Sequence, residues 1–279
     1  MNRLAIVTDS TAYIPEDEVK QHGIAVVPLT VNFEDGYIID GIMGSEQFFA
    51  RVDKATKIPF TSQPAVGQFA EVYKKLLAEG KEIISIHISG RISGTVESAA
   101  GAAKMLEASN NISIVDSGLT SAGLAFLVRA AVTWAEEGLS REGIVSRLEA
   151  EKKKIRILFV PDTLEYLRKG GRIGGARALL GTLLQIKPVL HFHNGIVDVF
   201  DKVRTKKKAV QRILKEIPRD SKRLRLVVLH ALAPQEAEEI REMVLKEVPH
   251  AEVTIDELGP VISIHAGPRV VGLTIWPLD

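Results

Sequence analysis

The sequence predicts a two-domain α/β fold, and two observations support this prediction. Short runs rich in β-branched residues alternate along the chain with segments of helical periodicity. Alternation of this kind favours a mostly parallel sheet with helices on both faces. The length of 279 residues, of which 46% are hydrophobic and 25% charged, is that of an ordinary globular protein with roughly two domains.

The N-terminal domain is predicted over residues 1–154, as a mostly parallel sheet with flanking helices. Its strand-like runs are LAIVT (4–8), IAVVPLTVNF (24–33), IISIHI (83–88) and ISIV (112–115). Its helical patterns cover 67–80, the segment that opens after Ser93, 121–138 and a charged stretch at 140–154. Ser140 is a suitable N-cap for the last of these helices because its hydroxyl can accept from a first-turn amide.

A second α/β domain is predicted over residues 155–279. Strand-like runs lie at 155–160, 196–200, 224–230, 251–256 and 270–276, and helical patterns at 205–216 and 234–247. The boundary is drawn at the composition shift EAEKKKIR, since no flexible linker rich in Pro, Gly or Ser separates the two halves.

Composition narrows the classes of function. Cysteine is absent, which excludes disulfides, thiolate nucleophiles and cysteine metal sites. The net charge of +1 gives no global field that would attract nucleic acid, so no nucleic-acid partner is expected. The first apolar run is short for a signal peptide, and no uncharged stretch approaches the roughly 18 residues of a membrane helix. We therefore expect a soluble, cytoplasmic protein.

Several standard motifs are missing. The chain contains neither GxGxxG nor GxxxxGK[ST], and it lacks HExxH and the GxSxG elbow of α/β-hydrolases. His191 and His193 would share a strand face but have no third ligand nearby, which favours an exposed strand end over a metal site. No cofactor and no metal are therefore predicted.

Polar clusters recur where predicted strands end: TDST (8–11), TSQP (61–64), SGT (93–95) and VDSG (115–118). In open α/β sheets the ligand crevice lies outside the carboxyl ends of the strands, where these clusters can converge. Hydroxyls dominate and cations are few, which suits binding of a small anion or carboxylate better than bond cleavage. The alternative for each cluster is helix capping, because Asp9, Ser10, Ser93 and Asp116 are good N-caps.

His265 is the other candidate from the residues alone. It follows the apolar run VISI (261–264), which is predicted to be a strand that delivers the imidazole to a turn. A lone histidine at a strand end is usually structural. If the second domain covers the strand ends of the first, however, His265 would face Ser93. A serine-dependent lipid hydrolase or acyltransferase that uses this pair therefore stays open as an alternative.

Two further stretches are unusual. In RKGGRIGGARALLGTLLQIKPVL (168–190), paired glycines around Arg172 predict a tight turn that presents the arginine, followed by a helix of small residues. Residues 201–225 contain 11 Lys or Arg and three acids. A solvated helix face explains this charge, and docking onto a partner, a phosphate or an anionic membrane surface is the alternative. A regulatory nucleic-acid-binding module is disfavoured because no recognition motif is present.

Seven motifs occur in order over nearly the whole chain: TDST, TSQP, SGT, VDSG, RKGGRI (168–173), IKPVL (186–190) and HAGP (265–268). With this set the chain resembles the DegV family of bacterial fatty-acid-binding proteins, the carrier subunit of fatty acid kinase. The resemblance implies a long-chain fatty acid between two α/β domains, with its carboxylate at the interface and its tail in an apolar tunnel. It also implies a separate kinase subunit that phosphorylates the bound acid, so that the carrier itself supplies no catalytic residue.

The resemblance also implies roles for individual residues. Those expected at the fatty-acid carboxylate are Thr61, Ser62, Ser93 with the neighbouring Gly94 amide, and His265. Those expected at the pocket or the kinase-facing surface are Asp9, Ser10, Arg172 and Arg204. The chain departs from the residues common in the family at Gly90, Ala65 and Arg269, which bears on the hydrogen bonding of the head group and on the pocket mouth.

Overall fold

The computed structural model describes residues 3–181 and 186–279, which fall into two compact units. The first unit contains the chain up to residue 42 and residues 61–153, and the second contains residues 43–60 and 154–279. The segment 43–60 therefore lies with the second unit, although the sequence places it in the N-terminal domain. The Ser45 hydroxyl explains this placement, because it donates to the Glu257 carboxylate and accepts from the Leu232 amide at 3.1 Å. The division into two domains at residue 154 stays a prediction.

The first unit is built around a parallel sheet. Before the segment 43–60, the elements of this unit are β1 (Leu4–Asp9), α1 (Glu16–His22), β2 (Ala25–Val27), β3 (Thr30–Phe33) and β4 (Gly36–Ile39). Helix α2 (Ser45–Val52) lies in that segment and belongs to the second unit. The first unit then continues with β5 (Phe60–Ser62), α3 (Val66–Ala78), β6 (Glu82–His87), α4 (Thr95–Met105), β7 (Ile112–Asp116), α5 (Ser121–Glu136) and α6 (Arg141–Glu151). The predicted strand over 24–33 is interrupted at Pro28, which has no amide hydrogen for a ladder bond.

The strand order of the main sheet is β2-β1-β6-β7, and all neighbouring strands are parallel. The chain leaves β1 toward β2 on one side and returns to place β6 on the other. The carboxyl ends of β1 and β6 therefore flank the point where the strand order reverses, which is where open α/β sheets bind ligands. Buried residues of α3 and α4, including Phe69 and Tyr73, pack on one face of this sheet.

A separate three-stranded sheet in the order β4-β3-β5 carries the TSQP motif. Strands β3 and β4 form an antiparallel hairpin in which Val31 pairs with Ile38. Thr61 and Ser62 are thus residues of β5 and do not follow a strand of the parallel sheet, which corrects the prediction for this cluster. A three-residue strand after a Pro-containing stretch has too short a pattern to be predicted from periodicity.

The second unit is a mixed sheet covered by helices. Besides α2, its elements are β8 (Arg156–Val160), α7 (Glu165–Lys169), β9 (Lys187–His193), β10 (Ile196–Val203), α8 (Lys206–Leu214), β11 (Leu224–His230), α9 (Pro234–Glu247), β12 (Glu252–Glu257), α10 (Pro260–Ala266) and β13 (Val271–Pro277). The strand order is β10-β9-β8-β13-β11-β12, in which only β11 and β12 among the described strands pair in parallel. The predicted α/β fold is confirmed.

The prediction that VISI is a strand is wrong. These residues lie in α10, and His265 is in the last turn of that helix. Gly259 adopts an extended N-cap conformation and Pro260 occupies the first turn, where its missing amide hydrogen costs nothing. A run of four apolar residues fits a short buried helix as well as a strand, so its β-branched residues were misleading.

The glycines after Arg172 are required by close packing. Gly174 has φ of +51°, and a Cβ added there would lie 2.0 Å from the Val197 carbonyl oxygen; at Gly175 it would lie 2.1 Å from an Asp198 carboxylate oxygen. Residues Gly174–Leu179 form a 3-10 helix against β10. The small-residue helix predicted for this stretch continues into residues 182–185, which lie outside the described residues.

Over residues 3–181 and 186–279, the helices all fall short of the length and apolarity that a membrane crossing needs.

We expect Gly174→Ala to lower the free energy of unfolding by about 2–4 kcal/mol, because the new methyl group meets backbone and the residue must keep a left-handed φ. Gly67→Ala is the matched control: it lies in α3, and a Cβ there has no neighbour within 4 Å. The control should gain about 0.5 kcal/mol in urea unfolding. Equal stability of the two variants would contradict the packing role of Gly174.

Candidate functional site

Three of the four polar clusters meet at the carboxyl edge of the parallel sheet, as predicted for them. The Ser89 amide donates to the Leu119 carbonyl at 2.8 Å, and the Gly90 amide donates to the Asp116 carboxylate at 3.1 Å. The loop after β6 is thereby bound to the loop after β7. The short 3-10 turn Ser10–Ala12 after β1 packs against α5, which starts from this same edge.

The TSQP motif reaches this region from the three-stranded sheet. The Gln63 side chain lies so close to Gly94 that a Cβ there would be 2.3 Å from its Oε1 atom, and its Nε2 donates to the Ser98 hydroxyl at 3.2 Å. The side-chain amide of Asn32 donates through Nδ2 to the Ser62 hydroxyl at 2.9 Å. The structure therefore places the motif containing Thr61 and Ser62 beside the one containing Ser93.

Ser93 is half-buried and precedes the first turn of α4. Its amide donates to the Ser89 carbonyl at 3.2 Å, and its hydroxyl lies 2.8 Å from the Thr95 hydroxyl. Gly94 is the N-cap and has no side chain to satisfy the first-turn amides of α4, which lack intrahelical partners. One of these two hydroxyls donates to the other, so the remaining hydroxyl proton and the helix N-terminus can donate to an anion without a lysine.

Asp9 is buried with no exposed surface, and its expected place at the pocket or the kinase-facing surface stays a prediction. One carboxylate oxygen accepts from the Thr11 amide at 3.1 Å and from the Thr11 hydroxyl at 2.5 Å. The other accepts from the Ile88 amide at 2.9 Å and lies 3.1 Å from His87 Nδ1. The carboxylate therefore fixes the start of the loop that carries Ser93, because a buried charge has to be paired.

A hydrogen-bonded chain extends from Asp9 into the core. The Ser85 hydroxyl lies 2.7 Å from His87 Nε2 and 2.7 Å from the Tyr73 hydroxyl. Every donor in this chain has an acceptor if Tyr73 donates to Ser85, Ser85 donates to His87 Nε2, and His87 Nδ1 donates to Asp9. The phenol of Tyr73 is protonated and able to donate at neutral pH, and burial raises its pKa further.

Ser85, His87 and Asp9 have the connectivity of a catalytic triad, but the arrangement is structural. The three side chains have no exposed surface and are already hydrogen-bonded to one another and to Tyr73, so the serine is not available to a substrate carbonyl. Ser93, the serine of the hydrolase alternative, has Thr95 as its side-chain partner among the described residues, and a threonine hydroxyl is no general base.

Ser10 is also buried, at 8% exposure, and serves the first unit internally. Its hydroxyl donates to Asp40 at 2.8 Å and accepts from the Leu29 amide at 3.0 Å. Ser10 therefore connects the turn after β1 to the β3–β4 hairpin. Its expected place at the pocket or the kinase-facing surface stays a prediction, as for Asp9.

In the second unit the HAGP and KGGRI motifs come together. A Cβ at Gly170 would lie 2.1 Å from His265 Nδ1, so only glycine allows this approach. Burial, and next the positive charge of Arg172, lowers the pKa of His265 to about 4. The imidazole is therefore neutral at pH 7 and presents one donor and one acceptor.

Arg172 lies at this histidine, half-buried, and does not project freely from its turn. Its guanidinium donates to the Gly170 carbonyl at 2.7 Å, and burial lowers its pKa. Arg204, by contrast, is exposed just after β10. The two arginines thus have different surroundings, and a kinase-facing role for either of them stays a prediction.

Some cations of the basic stretch 201–225 pair with acids. Arg212 binds Asp201 at 2.7 Å, also pairs with Glu216, and lies over the Phe200 ring at 4.5 Å from its centroid. Lys206 pairs with Glu236. Such pairing supports the solvated helix face, and contact with an anionic membrane surface stays a prediction.

His191 and His193 share a face of β9 as predicted, with their rings stacked at 5.4 Å between centroids. Burial, and next the charge of His193, lowers the pKa of His191. Among the described residues there is no group of three or more His, Asp or Glu side chains arranged to hold a metal ion.

Some residues of this region escaped the sequence analysis, namely Asn32, Asp40, Gln63, Tyr73, Ser85, His87, Thr120 and Ser121. A signal for two of them was present. Ser85 and His87 are polar residues two positions apart in an otherwise apolar strand, and this spacing puts both on one face of the sheet.

Comparison with known proteins agrees with the motif order. Residues 3–278 match the model of a family described as uncharacterised proteins of the DegV family. The protein DegV of Bacillus subtilis is 38% identical over 277 residues, which cover 97% of this chain and 98% of that protein. This chain belongs to the DegV family.

Solved structures of DegV proteins share its fold. A DegV family protein from Thermus thermophilus, described for its fatty acid binding, is 38% identical with a TM-score of 0.92 and covers 99% of this chain and 100% of its own. DegV from Bacillus subtilis, described as a fatty acid binding protein, has a TM-score of 0.89 at 36% identity and 99% coverage of both chains. A stearic-acid-binding protein from Eubacterium ventriosum has a TM-score of 0.86 at 28% identity and covers 99% of this chain and 98% of its own.

The resemblance implies departures from the family pattern at Arg269, Gly90 and Ala65, and the structure shows the surroundings of each. Arg269 has φ of +59°, a conformation that glycine adopts without strain. At Gly90 a Cβ would lie 3.0 Å from an Asp116 carboxylate oxygen, so a serine there would require Asp116 to shift. Ala65 is the N-cap of α3 and contributes only its backbone, whose amide donates to Gln68 at 2.8 Å.

Stability should depend on the protonation of His265. Its pKa is about 4 in the folded protein and near 6.5 when unfolded, so the contribution is complete above pH 6.5 and is lost as pH falls through 4. Between pH 7 and pH 4 the free energy of unfolding should drop by about 2–3 kcal/mol more for the wild type than for His265→Gln. Urea titrations at each pH measure this difference. The pKa values of His191 and His230 are also lowered, but both histidines are present in the two proteins, so their effect cancels in the comparison. Parallel pH profiles would contradict the assignment.

Proposed function

We propose that this protein binds one long-chain fatty acid and presents its carboxylate to a separate kinase subunit. The observation that carries the binding proposal is the meeting of two motifs at the start of α4, where Gln63 lies against Gly94 between the Thr61–Ser62 strand and Ser93. Membership in the DegV family and the fatty acid binding described for its relatives support the ligand class.

The proposed head-group contacts are neutral hydrogen-bond donors. Ser93, the Gly94 amide and the first turn of α4 lie together, with Thr61 and Ser62 on the adjoining strand. A carboxylate gains about 1.5–3 kcal/mol from each such charge-assisted bond. His265 is proposed as a further contact, because its neutral imidazole donates and accepts without the desolvation cost of a second charge.

The tail is expected to supply most of the affinity. Burying about 14 methylenes at about 0.8 kcal/mol each amounts to roughly 11 kcal/mol before the costs of association. Micromolar binding needs only about 8 kcal/mol. Because the tail suffices, the head-group donors need only orient the carboxylate, and this is the arrangement that a carrier needs if another protein is to act on that carboxylate.

The first test is mass spectrometry of an organic extract from the natively purified protein, together with titration of the delipidated protein with palmitate. We expect stoichiometric fatty acid in the wild type and a roughly 10- to 100-fold weaker dissociation constant in Ser93→Ala. Ser140→Ala is the matched control, since Ser140 also stands at a helix N-terminus of the first unit, where its hydroxyl accepts from the Gly143 amide at 3.2 Å.

A wild-type protein that carries no lipid and ignores added palmitate would refute the binding proposal. Labelling of Ser93 by a phosphonate probe together with esterase turnover would instead favour the hydrolase.

The kinase proposal has its own test. With a fatty acid kinase subunit, ATP and loaded carrier, we expect ADP formation that depends on the carrier, and a roughly tenfold loss in Arg204→Glu at unchanged palmitate affinity. Lys222→Glu is the control, because Lys222 is an equally exposed cation of the second unit. Equal losses in both variants would indicate a general charge effect, and full activity of Arg204→Glu would remove Arg204 from the kinase-facing surface.

A further inference from the structure

Two buried hydroxyls lie at the N-terminus of α5. The side-chain oxygens of Thr120 and Ser121 are buried and have no hydrogen-bond partner among the described residues. Thr120 is 4% exposed and Ser121 is 1% exposed. Leaving a buried hydroxyl unpaired is costly, so two adjacent ones indicate a partner that is not part of the protein.

Thr120 is also the N-cap of α5, yet its side chain makes no capping bond. Threonine at this position normally accepts from an amide of the first turn. The N-cap side chain therefore accepts no hydrogen bond from the first-turn amides of this 16-residue helix, and these amides form the positive end of the helix dipole. Hydroxyl donors at the positive end of a helix favour an oxyanion over a neutral ligand.

The position relative to the candidate site follows from backbone bonds. Leu119, one residue before Thr120, accepts from the Ser89 amide at 2.8 Å, and Ser89 in turn accepts from the Ser93 amide at 3.2 Å. The start of α5 and the loop before α4 are therefore held at the same edge of the sheet. A carboxylate has two oxygens and about four lone pairs, so it can accept from two helix starts at once.

We propose that the first turn of α5, with the Thr120 and Ser121 hydroxyls, is a second oxyanion subsite that binds the carboxylate of the fatty acid. This inference rests on the proposed fatty acid binding and adds to it a subsite that the family motifs do not mark. It predicts that affinity at this position depends on the charge of the head group.

The test compares palmitate with hexadecanol, which has the same chain length and no carboxylate, on delipidated full-length protein. In the double variant Thr120→Val, Ser121→Ala we expect palmitate to bind about 10- to 100-fold more weakly, with hexadecanol changed by less than about threefold. Thr120→Ser keeps the hydroxyl and should retain wild-type affinity.

Thermal unfolding of the delipidated variants separates binding from structure. The melting temperature of the double variant should stay level or rise, because two unpaired buried hydroxyls have been removed. Thr274→Val is the matched control, since the Thr274 hydroxyl is also buried and has no partner within residues 3–181 and 186–279, but lies within β13. That variant should leave palmitate affinity unchanged.

Three results would overturn the inference. Wild-type palmitate affinity in the double variant would mean that the two hydroxyls bind ordered water only. Equal weakening of palmitate and hexadecanol would remove the charge dependence. A lower melting temperature that accompanies the affinity loss in the double variant would assign the hydroxyls a structural role. Failure of the wild type to bind palmitate would instead refute the proposed function itself.

Discussion

The arrangement of the candidate site depends on one buried carboxylate, that of Asp9. Removing a carboxylate from water costs several kcal/mol unless donors replace its hydration. Asp9 obtains them from two separate chain segments, Thr11 after β1 and the His87–Ile88 pair at the end of β6. Because both segments have to keep this geometry, the loop that follows Ile88 begins from a fixed point, and the position of Ser93 follows from it.

A different constraint shapes the second unit. There the backbone of the glycine turn closes on His265, and a side chain at Gly170 would occupy the space of the imidazole. Burial and the neighbouring Arg172 keep that imidazole neutral at physiological pH. Histidine ordinarily has a pKa near 6.5 and changes its charge close to physiological pH. The His265 imidazole instead stays uncharged there, and an uncharged group costs less to bury than a charged one.

Both candidate regions rely on neutral groups and backbone, and this chemistry matches a lipid better than a nucleotide. A phosphate site for a nucleotide typically uses a glycine-rich loop and a lysine, neither of which stands at Ser93. A carboxylate at the end of an apolar chain needs orientation more than charge, since burial of the chain supplies the free energy. The fully buried Asp9–His87–Ser85 chain shows, moreover, that the connectivity of a triad has no catalytic meaning without access for a substrate.

Local pattern was sufficient to determine the fold class, most of the helices and strands, and membership in the DegV family. In any α/β protein, strands rich in β-branched residues and helices with an apolar stripe bury their apolar surface in the same way. The motifs TDST, SGT and VDSG follow strands of one parallel sheet, and parallel strands end at the same edge. The tertiary structure decided the rest. VISI is a helix, segment 43–60 packs in the second unit, and Ser85 and His87 bond to residues far away in the sequence. These outcomes depend on contacts between distant segments, whose energies a local pattern does not contain.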